Sequence, residues 1–233
     1  LSPAVQAAAD ENRAAFVGFV AAGYPAADQT VDIMLNMQAA NTDVIELGVP
    51  FTDPLADGAT IQKTNEIALQ SADPISLAHC INYVSVARAK GLTAPVVLMG
   101  YYNPFLAYGL DKLMQACVEA GVSGFIVVDL PPEEGADFVG LCAKYKLSYV
   151  PLLTPTSTDE RIAQLSSVAS SFMYCVSLTG VTGARSELPK ELPDFIARIR
   201  KHTSMPLAVG FGISTPAQVA DVAAIADGVV VGS

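Results

Sequence analysis

Short hydrophobic runs alternate with longer amphipathic segments along almost the whole of this chain. The short runs are rich in Val, Ile and Phe and are continuously apolar, which is typical of parallel strands covered on both faces. There are eight of them, at residues 15–21, 43–49, 95–100, 124–129, 148–152, 172–177, 206–211 and 228–231. Seven helices are predicted between them, at residues 28–40, 77–90, 113–120, 133–144, 159–168, 192–201 and 216–224.

This alternation predicts a parallel sheet, and eight repeats predict that the sheet closes into a barrel. The expected fold class is therefore α/β, as a (β/α)8 or TIM barrel. No linker rich in Pro, Ser or Gly divides the chain, so we expect residues 1–233 to form a single domain. The chain lacks an initial Met and stops directly after the eighth run. We therefore expect a segment of a longer polypeptide, truncated after strand eight.

The composition excludes several classes of function. The net charge is −10 and no Lys/Arg run exceeds two residues, so the chain lacks the basic surface of a nucleic-acid-binding protein. No uninterrupted apolar stretch reaches the roughly 18 residues of a membrane-spanning helix, and the first residues do not resemble a signal peptide. The four cysteines have no CxxC spacing, which indicates reduced, buried thiols and a cytoplasmic location.

The functional groups of a closed barrel lie on loops that follow the carboxyl ends of its strands. Glycine-containing loops follow the last three predicted strands, at residues 179–183, 210–212 and 232–233. Glycine lets backbone N–H groups approach an anion closely, and barrels often bind a phosphate group beside the last two strands. The sequence therefore favours a phosphate site here. The alternative is that these glycines only make tight turns.

Two carboxylates are candidates for chemistry. Glu46 lies in the middle of an apolar strand, where an unpaired charge is costly to bury. It is either paired with a structural Lys or Arg, or it is a general acid/base whose pKa is raised by loss of solvent. Asp57 lies in the loop that follows. It is either a second functional carboxylate or the cap of a helix that begins after Gly58.

Other catalytic groups are missing from the sequence. None of the seven lysines follows a predicted strand, as a Schiff-base lysine would. The two histidines, His79 and His202, are far apart, so no cluster of metal ligands is visible. No GxGxxG motif follows the first strand. We therefore expect acid/base chemistry without a metal or an organic cofactor in this chain.

The motifs at the strand ends together resemble those of the tryptophan synthase alpha subunit family. The matching blocks are ELGVPF at 46–51, DP at 53–54, ADG at 56–58, MGYYNP at 99–104, DLP at 129–131, GVTG at 180–183, GFGIS at 210–214 and GS at 232–233. Residues 100–104 and 128–134 look most like fungal members, in which the alpha domain is fused ahead of a beta domain. One position departs, because Leu178 stands where many members carry a basic residue in a lid loop.

The resemblance implies a barrel lyase that cleaves indole-3-glycerol phosphate to indole and glyceraldehyde 3-phosphate by retro-aldol chemistry, the alpha reaction of tryptophan biosynthesis. By position, Glu46 matches the family's mobile acid/base, Asp57 the carboxylate that binds the indole N–H, and Tyr174 a tyrosine near the glycerol part. The implied substrate-binding residues are Phe19, Met99, Thr182, Gly183, Gly212, Gly232 and Ser233. The first two would contact the indole ring, and the glycines with the final serine would bind the phosphate group.

The resemblance also implies a partner, either a tryptophan synthase beta subunit or a fused beta domain. That partner would carry pyridoxal phosphate and receive the indole, whereas this chain would hold no cofactor of its own. Residues 50–57 and the Asn103-Pro104 region would contact it.

Three alternatives to this interpretation remain. The first is a stand-alone indole-3-glycerol phosphate lyase that releases free indole. The second is an alpha-type barrel that serves mainly to activate a beta subunit, against which the intact Glu46 and Asp57 argue. The third is a different phosphate-binding barrel, which would need other catalytic residues at the strand ends and would make Glu46 and Asp57 a coincidence.

Overall fold

The computed structural model describes residues 1–177 and 188–232, and a parallel sheet forms its centre. Its strand segments are β1 Ala15–Ala21, β2 Val44–Gly48, β3 Val96–Gly100, β4 Gly124–Val127, β5 Ser148–Val150, β6 Leu152–Leu153, β7 Met173–Val176, β8 Leu207–Gly210 and β9 Gly228–Val231. They lie side by side in the order β5-β4-β3-β2-β1-β9-β8-β7-β6, and neighbouring segments run parallel.

The two ends of this order, β5 and β6, are consecutive parts of one bent strand separated by Pro151. Pro151 has no N–H to donate, so the ladder with β4 stops there. Its carbonyl oxygen instead accepts a hydrogen bond from the backbone N–H of Tyr174, on β7, at 2.9 Å. The strand predicted at residues 148–152 is therefore divided between two neighbours. This division brings the sheet round into a barrel and confirms the predicted (β/α)8 class.

Helices pack around the sheet, and none within residues 1–177 and 188–232 is long and apolar enough to cross a membrane. They are α1 Ser2–Asp10, α2 Thr30–Ala39, α3 Ala59–Leu69, α4 Leu77–Ala89, α5 Tyr102–Tyr108, α6 Leu110–Ala120, α7 Ala136–Tyr145, α8 Asp159–Val168, α9 Leu192–Arg200 and α10 Pro216–Ala223. A 3-10 turn, Ala27–Gln29, leads into α2.

All seven predicted helices are present, with ends that differ by a few residues, but α1, α3 and α5 were not predicted. The helix α3 buries Thr64 and Asn65 beside Ala68, so it shows no apolar stripe in the sequence. The helix α5 is only seven residues long and contains Pro104, which a helix tolerates in its first turn.

The strands place alternate side chains inside the barrel, because successive residues of a strand point to opposite faces. Val17 on β1 lies opposite Val44 on β2, and two residues later Phe19 lies opposite Glu46. Val17 and Val44 belong to the apolar cluster that fills the barrel interior. Glu46 therefore lies inside the barrel as well, one layer nearer the carboxyl ends of the strands.

Between the sheet and the surrounding helices, the buried apolar residues form two separate clusters. One contains residues from Ala22 to Tyr149, and the other contains residues from Leu153 to Val229. The boundary between the two clusters thus falls at Pro151, where the closing strand is divided.

We expect Phe138→Ala to lower the free energy of unfolding by about 3–5 kcal/mol, since it removes a buried ring that its neighbours cannot replace. The Phe138 ring is fully buried, and its centroid lies 5.3 Å from that of Phe125 and 6.1 Å from that of Phe105. Urea unfolding followed by circular dichroism measures the change. The control is Leu55→Ala, at a side chain 89% exposed, where about 0.5 kcal/mol or less is expected. Equal losses in the two variants would contradict this account.

Candidate active site at the carboxyl ends of the strands

A cavity opens at the carboxyl ends of the strands. Seven of the ten site residues predicted from the sequence line it: Phe19, Glu46, Asp57, Met99, Tyr174, Gly212 and Gly232. The other three predicted residues, Thr182, Gly183 and Ser233, lie outside the described residues, as does Leu178. The fold thus brings together residues from six strands, or from the loops that follow them, that are distant in sequence.

Glu46 is fully buried in the wall of this cavity. Neither carboxyl oxygen has a hydrogen-bond partner among the described residues. Burial raises the pKa of Glu46 to about 8, because the charged form loses its hydration and gains no compensating contact. The alternative of a structural ion pair with Lys or Arg is therefore wrong for the part of the chain that the structure describes. A pKa of about 8 leaves Glu46 mainly protonated at pH 7.

Asp57 lies in the loop that follows β2, in a different environment from that of Glu46. Burial is the largest influence and raises the pKa of Asp57 to about 6, although hydrogen bonds from Asn65 and Tyr101 act in the opposite direction. Asn65 donates its side-chain N–H to Asp57 Oδ2 at 3.2 Å. The cap of α3 is Gly58, with no side-chain cap bond, so the helix-cap alternative for Asp57 is wrong. Asp57 is mostly ionised at pH 7 and can accept a hydrogen bond.

Tyr174, on β7, is buried, with the two carboxylates nearby. Burial, and next the charge of Glu46, raises the pKa of Tyr174 well above its usual value, so the phenol keeps its proton. The Tyr174 hydroxyl occupies the space that a Cβ at Gly210 would need. The ring also contacts the edge of Phe211 at 5.7 Å between centroids. The glycine at position 210 therefore makes room for the tyrosine inside the barrel.

The loop after β8 has an unusual backbone that places Gly212 at the rim of the cavity. Phe211 and Gly212 have φ angles of 76° and 79°, in the left-handed region that is strained for phenylalanine. The Ser177 hydroxyl donates a hydrogen bond to the Phe211 carbonyl oxygen. Beyond it, the side-chain oxygen of Gln218 accepts a hydrogen bond from the backbone N–H of Ser214 at 2.9 Å. The loop is thus held from both sides.

Several residues of the site were missed in the sequence. Thr60 and Ile61 line the cavity from the first turn of α3, the helix that the apolar pattern did not reveal. Asn65 belongs to the same helix. Tyr101 was noted only as part of a motif, although its hydroxyl hydrogen-bonds the backbone N–H of Ala56 at 2.9 Å. Only the polar residues on the buried face of α3 could have indicated this role.

A closed (β/α)8 barrel with a buried acid, a second carboxylate and glycine loops around one cavity defines the class of protein, a barrel enzyme that works by acid/base chemistry. The particular family follows from comparison with known sequences. The family model described as "Tryptophan synthase alpha chain" matches residues 5–233. This chain belongs to that family, as its motifs predicted. The predicted reaction, cleavage of indole-3-glycerol phosphate by a carbon–carbon lyase, is the reaction of this family.

Relatives with known names agree. The tryptophan synthase alpha chain of Roseiflexus castenholzii is 49% identical over 221 residues, which are 95% of this chain and 84% of the relative. The tryptophan synthase of Saccharomyces cerevisiae is 48% identical over 224 residues, which are 96% of this chain but only 31% of the yeast protein.

Solved structures agree as well. A chain of Mycobacterium tuberculosis tryptophan synthase superposes with a TM-score of 0.91 at 34% identity, over 99% of this chain and 87% of that one. Tryptophan synthase subunit alpha from Legionella pneumophila superposes with a TM-score of 0.90 at 36% identity, over 99% of this chain and 84% of that one.

We expect Glu46→Gln to become more stable relative to the parent as the pH rises from 5 to 8. Burial raises the pKa of Glu46 to about 8, from an ordinary value of 4.5, so in this window the native chain keeps a proton that the unfolded chain releases. The parent therefore loses up to about 1.4 kcal/mol of stability per pH unit that the glutamine variant does not lose. Urea unfolding at several pH values measures the difference. Glu66→Gln, at an exposed position of α3, is the control. Parallel curves for the parent and Glu46→Gln would contradict the assigned burial.

Proposed function

We propose that this chain cleaves indole-3-glycerol phosphate to indole and glyceraldehyde 3-phosphate, with Glu46 as acid and base and Asp57 as the partner of the indole N–H. The observation that supports this most is the contrast between the two carboxylates of one cavity. Burial raises the pKa of Glu46 to about 8 and that of Asp57 to about 6, so at pH 7 one is mainly protonated and the other mainly charged. The retro-aldol reaction needs both forms at once.

The first step is transfer of the Glu46 proton to C3 of the indole ring. The ring then carries a positive charge, shared with its nitrogen. The Asp57 carboxylate accepts a hydrogen bond from the indole N–H and stabilises this charge in a cavity of low polarity, where an electrostatic contact is strong. Phe19 and Met99, which line the same cavity, supply apolar surface for the ring.

The second step uses the Glu46 carboxylate that the first step leaves behind. It removes the proton from the glycerol hydroxyl next to the ring, the oxygen electron pair forms the aldehyde, and the carbon–carbon bond to C3 breaks. The bonding electrons return to the indole ring and neutralise it. Glu46 ends protonated, as it began. We assign Tyr174, as a neutral phenol, to the glycerol part of the substrate.

The phosphate group is proposed to lie against the glycine loops after β8 and β9. Gly212 and Gly232 line the cavity on that side. We assign Thr182, Gly183 and Ser233 to the same part of the substrate by their place in the family motifs. Because the indole ring itself takes up the electrons of the broken bond, the reaction requires no metal or organic cofactor, and pyridoxal phosphate belongs to the beta partner.

We propose a beta subunit, or a beta domain of the same polypeptide, as the partner of this chain. The yeast tryptophan synthase that matches over only 31% of its length supports the second form. Leu55, in the loop at residues 50–57, is 89% exposed, and Leu106, two residues after the Asn103-Pro104 pair, is 53% exposed. We further propose that residues 1–233 act as one domain in the cytoplasm, where the four buried thiols would stay reduced.

We expect Glu46→Gln and Asp57→Asn each to lower kcat by about 10² or more, because each removes a proton donor or a charge that the transition state needs. Release of glyceraldehyde 3-phosphate is measured with a coupled dehydrogenase, with the chain alone and with a beta subunit. Glu66→Gln and Asp32→Asn, at exposed positions, are matched controls that should retain full activity. Low activity alone that rises with the beta subunit supports the synthase assignment. High activity alone supports the stand-alone lyase, and inactivity in every mixture would refute both.

We expect a bell-shaped dependence of kcat/KM on pH. Its maximum should lie between about 6 and 8, because burial raises the pKa of Asp57 to about 6 and that of Glu46 to about 8. Activity is lost below the maximum because Asp57 takes up a proton and can no longer stabilise the ring charge. It is lost above the maximum because Glu46 has already released the proton that C3 needs. Initial rates at subsaturating substrate from pH 5 to 9 test this. An activity that keeps rising to pH 9 would contradict the role of Glu46 as the acid.

A further inference from the structure

The carboxyl of Asp57 is held by two buried side chains that approach from different elements. Tyr101, which directly follows β3 and is 5% exposed, places its hydroxyl at the residue before Asp57, and hydrogen bonding by this hydroxyl lowers the pKa of the Asp57 carboxyl. The same hydroxyl accepts a hydrogen bond from the backbone N–H of Ala56 at 2.9 Å. Asn65, on α3 and also 5% exposed, donates its side-chain N–H to Asp57 Oδ2 at 3.2 Å.

These contacts connect the loop between β2 and α3 to the barrel. Within the loop, the backbone N–H of Asp57 donates to the carbonyl oxygen of Pro54 at 3.0 Å, which shapes a turn but does not fix it against the sheet. Tyr101 supplies that connection, since its position directly after β3 is set by the strand. Its ring also packs against Phe51 at 5.2 Å between centroids, at the start of the loop.

We propose that Tyr101 and Asn65 are positioning residues, whose hydrogen bonds hold the Asp57 carboxylate in the orientation that receives the indole N–H. The inference rests on the proposed function, because it requires Asp57 to bind that group. An aspartate turns about two side-chain torsions, and its rotamers direct the carboxylate to different places. A displacement of about 1 Å can cost a large part of the catalytic rate. The gain from a fixed carboxylate therefore outweighs the cost of burying the Asn65 amide and the Tyr101 phenol.

The same hydrogen bonds affect titration. They stabilise the charged carboxylate and so oppose burial, which raises the pKa of Asp57 to about 6. The titratable groups around Asp57 are Tyr101 itself, Tyr174 on β7 and Glu46 on β2, with Asp129 acting on Tyr101. Loss of either donor therefore raises the pKa of Asp57 further, and the acid side of the activity profile should move to higher pH.

The experiment compares Tyr101→Phe and Asn65→Leu, which keep the shape of the side chain and remove its donor, with the parent. We expect each to lower kcat by about tenfold, the size expected for one hydrogen bond to a charged group. KM should change by less than about threefold, because the phosphate contacts remain. Tyr102→Phe is the matched control, because Tyr102 packs its ring against Phe138 rather than beside Asp57. It should leave kcat and the pH profile unchanged.

A double-mutant cycle separates positioning from a general loss of structure. If Tyr101 acts through Asp57, the Tyr101→Phe substitution should have little further effect in an Asp57→Asn background. An equal tenfold loss in that background, or a loss of kcat without any shift of the acid side of the profile, would overturn the proposal.

A measurement without turnover distinguishes this inference from the proposed function. The pKa of Asp57 can be read by NMR of chain labelled with ¹³C at the aspartate carboxyls, with Asp57→Asn to identify the signal. A higher pKa in Tyr101→Phe and Asn65→Leu, but not in Tyr102→Phe, supports the positioning contacts even if the parent fails to cleave the substrate. An unchanged pKa in all three variants refutes the contacts, whatever the activity.

Discussion

A carboxyl group buried without a partner is the constraint on which this structure depends. Glu46 stands on a strand whose five residues are all buried, inside a sheet that closes on itself. Leaving an acid there costs stability, because the unfolded chain can ionise it and the native chain cannot. This loss of stability is offset because an apolar barrel of more than 200 residues buries a large hydrophobic surface. Phe19 lies opposite Glu46 across the ladder, and the buried Tyr174 lies near enough for the charge of Glu46 to raise its pKa.

Asp57 complements Glu46 because its surroundings supply hydrogen-bond donors to the carboxyl group, whereas within the described residues those of Glu46 do not. It lies at the edge of the same cavity, on a loop instead of a strand, and two donors favour its charged form. A strand can fix a side chain by its register alone, whereas a loop needs contacts to hold its residues. Asn65 supplies one such contact from α3, and Tyr101 supplies another from the end of β3. One cavity therefore contains two carboxyl groups in different protonation states, Glu46 fixed by its strand and Asp57 held by hydrogen bonds.

The sequence was sufficient for the barrel because eight continuous apolar runs leave few other folds, and it was sufficient for the location of the site because barrel chemistry lies at strand ends. It missed α3, whose buried side chains include Thr64 and Asn65, since hydrophobic periodicity cannot detect a polar buried face. It also left Glu46 and Asp57 each with two interpretations. Only three-dimensional contacts could decide them, because a partner such as Asn65 is not recognisable from spacing. The division of the closing strand at Pro151 could not be predicted either, because it depends on which neighbouring strand each of its two parts pairs with.

The division of the closing strand at Pro151 has a consequence for how the barrel unfolds. On one side of Pro151 the helices share the cluster from Ala22 to Tyr149, and on the other they share the cluster from Leu153 to Val229. We expect each cluster to open as a unit. The two halves meet at Pro151, where β5 pairs with β4 and β6 pairs with β7. Local opening should therefore begin at this point, and amide hydrogen exchange would divide the barrel into an amino-terminal and a carboxyl-terminal half. Glu46 and Asp57 belong to the first half and Tyr174 to the second, so the cavity exists only while the two halves remain joined.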